Sequence, residues 1–186
     1  MVTVAIDPVT RIEGHLSVKT EVENGVLKIY IEHTNGFHWN WSNQHMRAYV
    51  SFKTLDNLEA SGGSDVFGES AIKSDKLRIH LSGGSDCKAQ VNINELQIEQ
   101  SGGSDVSITG NVENLTVNAS GGSDFHGYEL SAEYCNIEAS GGSDMHVQVN
   151  KELNVSASGG SDVYYKGNAV IRKMNSSGSS SISKKG

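Results

Sequence analysis

Apolar and polar residues alternate along most of this chain, and the alternation restarts at nearly fixed intervals. The restart is marked by one pentapeptide, Ser-Gly-Gly-Ser-Asp, beginning at Ser61, Ser82, Ser101, Ser120, Ser140 and Ser158. A degenerate copy, Ser176-Ser177-Gly178-Ser179-Ser180, follows one interval later. Three places before each copy stand Leu58, Ile79, Ile98, Val117, Ile137 and Val155; five places before stand Leu77, Leu96, Leu115, Cys135 and Leu153, with Leu55 one place off in the first copy. The residue just before each copy is Ala60, Leu81, Gln100, Ala119, Ala139 or Ala157, and the one just after is Val66, Cys87, Val106, Phe125, Met145 or Val163. The residues between are polar. Period-two alternation of this kind predicts strands with one buried face.

A repeat of about 20 residues is too short for a domain and marks a solenoid, whose coils bury their apolar faces only against their neighbours. Each coil reads as a strand, a Gly-Gly corner, a second strand and a variable return. No helical period appears. The predicted fold is all-β: a single-stranded parallel β-helix, right-handed from strand twist. Six coils at the parallel-strand spacing would rise roughly 29 Å. Residues 1–55 read as an N-terminal cap and first coils, and 56–186 as β-helix repeats with a C-terminal cap, in one continuous domain. Within the cap, Val26–Glu32 reads as a strand. Phe37, Trp39 and Trp41 alternate with His38 and Asn40 and so share a face. That face is either a hydrophobic plug or an aromatic platform for a sugar ring, with Trp39 and Trp41 as ligand candidates. Lys173, Lys184 and Lys185 are placed to blunt the final strand edge.

Composition narrows the function. The net charge of −7 over 186 residues argues against nucleic acid and anionic membranes as partners. The chain has no apolar run long enough to span a bilayer, so no transmembrane helix is expected. The N-terminus lacks a signal-peptide core; an exported form would have lost its signal. The two cysteines, Cys87 and Cys135, fall in different apolar columns and read as buried thiols rather than a disulfide or a metal pair. Exposed strand edges leave end-to-end or edge self-association open.

The aspartates Asp65, Asp86, Asp105, Asp124, Asp144 and Asp162 fall in one column. Unit charges about 5 Å apart repel by roughly 1 kcal/mol in water and about 3 kcal/mol at an effective dielectric near 20. Two remedies are available. Asp and Ser side chains can bond the backbone of the corner, or calcium can bridge the carboxylates. Calcium-binding nonapeptide rolls also use Gly-Gly and Asp, at half this period and with a further glycine. No other cofactor is implied. His126 and His146 hold equivalent places in successive coils, as an adventitious zinc or copper pair or a solvated one, with Ser107 and Tyr164 flanking. Glu59, Glu99 and Glu138 share an outward column with His80 and Asn118. A two-coil spacing of about 10 Å is slightly wide for an inverting glycosidase pair. No catalytic signature such as GxSxG is present, so no catalytic residue is expected.

The strand form Leu-x-Val-x-Ala-Ser-Gly-Gly-Ser-Asp-Val, with Val26-Leu27-Lys28-Ile29-Tyr30 and Tyr164-Tyr165-Lys166-Gly167-Asn168, closely resembles the head GIN domain family from about Glu21 to Lys185. That family is described as auto-transporter adhesins and is common in Bacteroides and relatives. The resemblance implies an exported β-helix at the cell envelope. The reading is a non-enzymatic surface protein that presents a polar face to carbohydrate or another surface ligand. The alternatives are a polysaccharide-active enzyme and a purely structural scaffold. Separately, Val4-Ala5-Ile6-Asp7-Pro8-Val9-Thr10-Arg11-Ile12-Glu13-Gly14-His15-Leu16 resembles the opening of nickel–iron hydrogenase large subunits, with Glu13 matching a proton-handling glutamate. Nickel there needs thiolates from two CxxC pairs, and this chain has none. A chimera, a designed segment or convergence of a short strand would account for the likeness.

Overall fold

The computed structural model describes residues 2–5, 9–13, 18–31 and 47–186, with backbone only for 2–5, 9–13 and 31. Trp39 and Trp41, with Phe37, lie outside the described residues. The strands are β1 (Val2–Ala5), β2 (Val9–Glu13), β3 (Val18–Glu23), β4 (Val26–Ile31), β5 (Arg47–Ser51), β6 (Asn57–Ser61), β7 (Val66–Phe67), β8 (Ile72–Ser82), β9 (Asp86–Gln100), β10 (Asp105–Ala119), β11 (Asp124–Ala139), β12 (Asp144–Ala157), β13 (Asp162–Lys166), β14 (Val170–Ser176) and β15 (Ser181–Lys184). Among the described residues there is no helix. Strands from β6 onward stack in parallel as a β-solenoid of about seven turns. At its start, β1 pairs antiparallel with both β6 and β4, and β3 pairs antiparallel with β4. A separate antiparallel pair joins β2 to β5.

The apolar columns stack as the spacing predicts. Leu77, Leu96, Leu115, Cys135 and Leu153 are in register, as are Ile79, Ile98, Val117, Ile137 and Val155, and nearly all are shielded completely from solvent. Leu55, one place off by sequence, still reaches the core at 2% exposure. Bulk is traded across the corner: Leu81 precedes small Cys87, while Ala119 precedes Phe125 and Ala139 precedes Met145. A close-packed interior requires such compensation, since each coil must fill a similar cross-section.

One expectation is revised. Each middle coil is a single strand of 14 to 16 residues rather than two strands with a return. Parallel neighbours match residue for residue over most of their length, so the ladder of hydrogen bonds is carried round the bends. The first coil is different: Gly68, Glu69, Ser70 and Ala71 separate β7 from β8, and Phe67 is left 69% exposed. Differences in coil length are absorbed by register shifts, between Ser107 and Gly110 on β10 and between Gly127 and Ser131 on β11. Tyr128, Glu129 and Leu130 fall in the second shift and have no partner residue on β12.

Candidate functional site

At the corner, the first glycine of the pentapeptide takes a left-handed conformation, with φ of 79° at Gly121 and 78° at Gly141. A Cβ on Gly141 would lie 2.6 Å from the Gly121 carbonyl oxygen, so only glycine admits this stacking. The second glycine donates its N–H to the first glycine one coil back, at 2.7 Å for Gly122 to Gly102 and for Gly142 to Gly121. The fourth residue, serine, turns inward and is fully buried at Ser85, Ser104, Ser123, Ser143 and Ser161. Its hydroxyl donates to the carbonyl of the first serine, at 3.1 Å for Ser143 to Ser140 and 2.9 Å for Ser161 to Ser158. Buried hydroxyls need a partner, and the corner supplies it locally.

The aspartates do form a column. Asp86, Asp105, Asp124, Asp144 and Asp162 pair in register, and Asp65 precedes the matched pair Val66 and Cys87. Two of their carboxylates bond the backbone of the next coil: Asp105 N–H donates to Asp86 Oδ1 at 3.3 Å, and Asp144 N–H to Asp124 Oδ1 at 3.2 Å. Asp162 accepts from the Ser181 hydroxyl at 2.6 Å and from the Tyr164 hydroxyl at 3.3 Å. These differences reach the protonation equilibria. Burial, then the carboxylates of Asp124 and Asp86, holds Asp105 above the ordinary aspartate value. The Ser181 hydroxyl is the first cause holding Asp162 below it. Among the described residues, no three His, Cys, Asp or Glu side chains converge to hold a metal ion.

Before the corner, the outward column runs Glu59, His80, Glu99, Asn118, Glu138 and Ser156 over successive coils. Between Glu99 and Ser156 it lines an open groove of about 550 Å³, together with the corner serines Ser101, Ser120, Ser140 and Ser158. Glu99 accepts from Gln97 Nε2 at 2.8 Å and lies 3.3 Å from His80 Nδ1. The groove thus presents carboxylate, amide and hydroxyl groups in rows one strand spacing apart, about 4.8 Å. Hydrogen-bonding groups at that interval suit the hydroxyls of a bound sugar chain.

After the corner, His126 and His146 stack as the register predicts, with centroids 5.6 Å apart and planes 22° apart. His146 stacks in turn on Tyr164 at 5.2 Å. Tyr128 meets His146 edge-on at 4.9 Å. Burial, then His126, pushes His146 below its usual value. Sequence reasoning missed Tyr128, because strict alternation keeps it with its own strand while the register shift turns it toward the next coil. It also missed Gln100. This side chain is 3% exposed in a column otherwise of Ala and Leu; its Nε2 donates to Ser104 O at 3.0 Å and Asp124 O at 2.9 Å, while its Oε1 is enclosed without a partner among the described residues. Cys87 and Cys135 are free and buried, and burial pushes the Cys87 thiol up to about 12.

Fold and surface define a class: a β-solenoid whose outer faces carry its polar chemistry. The chain belongs to the family described as "Putative auto-transporter adhesin, head GIN domain", whose model matches residues 10–169. The match begins earlier and ends sooner than the repeat motifs alone suggest. Three solved structures are similar. A "putative adhesin" from Bacteroides fragilis aligns with a TM-score of 0.79 at 20% identity, covering 90% of this chain and 76% of that one. A "Putative lipid binding protein" from Parabacteroides distasonis gives 0.67 at 20% identity, covering 96% and 85%. A "putative adhesin" from Parabacteroides merdae gives 0.64 at 16% identity, covering 96% and 84%. At these identities the likeness speaks for the fold alone. No curated protein matches the chain in sequence. None of these matches supports the resemblance of residues 4–16 to hydrogenases; of Glu13 the structure describes the backbone, in β2. No helix among the described residues is long and apolar enough to cross a membrane, which says nothing of a β-barrel.

Proposed function

We propose that the protein is a non-enzymatic component of the cell envelope that binds carbohydrate along the groove before the corner. The observation that carries this reading is the row Glu99, Asn118, Glu138 and Ser156, set in register on four consecutive strands beside the corner serines. A rigid sheet fixes these groups without the entropic cost of ordering a loop. The adhesin description of the family agrees with a surface role.

A glycan array combined with an assay for new reducing ends tests the proposal. Retention of one or more glycans, without cleavage, is expected. Affinity should fall about tenfold when Asn118→Ala and Glu138→Gln are combined, the loss of one or two net hydrogen bonds. Release of reducing ends that Glu99→Gln abolishes would replace this reading with that of an enzyme. Binding to no glycan would leave a structural scaffold.

A further inference from the structure

We propose a second carbohydrate site, for acidic polysaccharides, on the strip of rings and ammonium groups that follows the corner on β11, β12, β13 and β15. The proposal rests on the carbohydrate-binding reading but places a different ligand class on a different face. Three rings, His126, His146 and Tyr164, stack along three successive coils, and Tyr128 buttresses the middle one. Two lysines are seated on this strip: Lys166 Nζ lies 4.3 Å from the centre of the Tyr128 ring, and Lys185 Nζ 4.5 Å from that of Tyr164. Cation–π contact holds each ammonium in place without neutralising it. His146 Nδ1 is enclosed and, among the described residues, has no hydrogen-bond partner, so the middle ring is a packed plate and not a mobile side chain.

Charge selects the ligand. The molecule is acidic overall, yet beyond Asp162 the chain holds Lys166, Arg172, Lys173, Lys184 and Lys185 and no acidic residue. The strip lies on the border between the acidic coils and this basic end. Its nearest carboxylates are already engaged, Asp124 by the Asp144 amide and Asp162 by the hydroxyls of Ser181 and Tyr164. Lys166 and Lys185 therefore remain as donors of charge-assisted hydrogen bonds to a carboxylate or sulfate. The part-exposed rings beside them offer the flat apolar surface on which a pyranose packs. The groove before the corner, lined by Glu99 and Glu138, would repel the same polymer.

Calorimetry with a polyuronate and with neutral dextran, at low and at high salt, tests the inference on the intact chain. The polyuronate is expected to bind, weakening as salt rises, and dextran is not expected to bind the strip. Lys166→Ala combined with Lys185→Ala should lower polyuronate affinity at least about tenfold, whereas Glu99→Gln should leave it unchanged. Both lysines are surface residues, so folding should survive; Lys166→Gln and His126→Ala, checked by melting, provide independent variants. Equal binding of dextran and polyuronate, or polyuronate binding indifferent to the lysines, would overturn the site. Neutral glycan binding lost in the groove variants, with no polyuronate binding, would overturn this proposal and keep the groove. Polyuronate binding lost in the lysine variants, with groove variants silent, would do the reverse.

Discussion

Gly25 and Gly141 have the same φ of 78° and opposite surroundings. Gly25 follows Asn24, itself at φ 51°, in the two-residue turn between β3 and β4, where Asn-Gly supplies the left-handed pair such a hairpin needs. Open space surrounds the place a Cβ would take at Gly25. At Gly141 that Cβ would meet backbone of the coil beneath, 2.6 Å from Gly121 O and 2.9 Å from Gly121 N. The hairpin glycine answers to its own chain, and the corner glycine answers also to its neighbour. Stacking therefore propagates a sequence requirement from coil to coil, while a hairpin keeps its requirement to itself. This is why the corner repeats letter for letter and the turn at Asn24 does not.

The largest expected effect separates these two glycines. Gly25→Ala should cost about 1–2 kcal/mol, the left-handed strain alone. Gly141→Ala adds an overlap with backbone that cannot rotate away, and should cost at least about 3 kcal/mol. Urea unfolding of the two variants measures the gap; equal losses would show that the corner is only a turn. A smaller effect is expected one step round the corner. Ser143→Ala removes a buried hydroxyl that serves the Ser140 carbonyl, and should lower stability by about 1 kcal/mol. A neutral result would mean that water replaces the hydroxyl, and that the Gly stack alone defines the corner.

The smallest effects concern the aspartates and differ in sign. Asp105 has a raised folded-state value, so its ionised form opposes folding, and the opposition is complete only above that value. Asp105→Asn should raise Tm at neutral pH, with the gain disappearing as pH falls below 3.8, the ordinary value. Asp162 has a lowered value and contributes stability above 3.8, lost as pH falls through its folded-state value. Asp162→Ala should lower Tm at neutral pH and converge with the parent in acid. Thermal melts from neutral pH to about pH 3 read both. Repeating them with calcium and with a chelator separates the two remedies for the column: equal Tm values support backbone bonding, and a rise with calcium supports a bridging cation.

The repeat exposed most of the solenoid because period-two burial and a fixed corner are local signals. Leu96, Ile98, Cys87 and Val106 fall where their spacing puts them. The antiparallel seat of β1 between β4 and β6 was not legible, because that pairing joins residues far apart in the chain that share no repeat. The outward columns were readable as columns, and so was the stacking of His126 on His146. What escaped was contact made by irregularity. Tyr128 reaches His146 from residues that the ladder leaves unmatched, and Lys166 reaches Tyr128 from two coils on. Gln100 escaped for a related reason: its partner Asp124 O lies in the corner of the next coil, and neither residue signals the other in sequence.

The stacking direction has a mechanical consequence. Bonds such as Gly142 N–H to Gly121 O and Ser158 N–H to Ala139 O tie each coil to the one before it. A pull between the two ends of the stack loads these bonds in line, so coils peel away singly instead of shearing together. Each coil occupies about 4.8 Å of the stack, and its roughly 20 residues, drawn out, extend to about 65–70 Å. Under tension the molecule should lengthen in steps of about 60 Å. A surface protein built this way would yield one coil at a time and leave the coils beyond the break still folded.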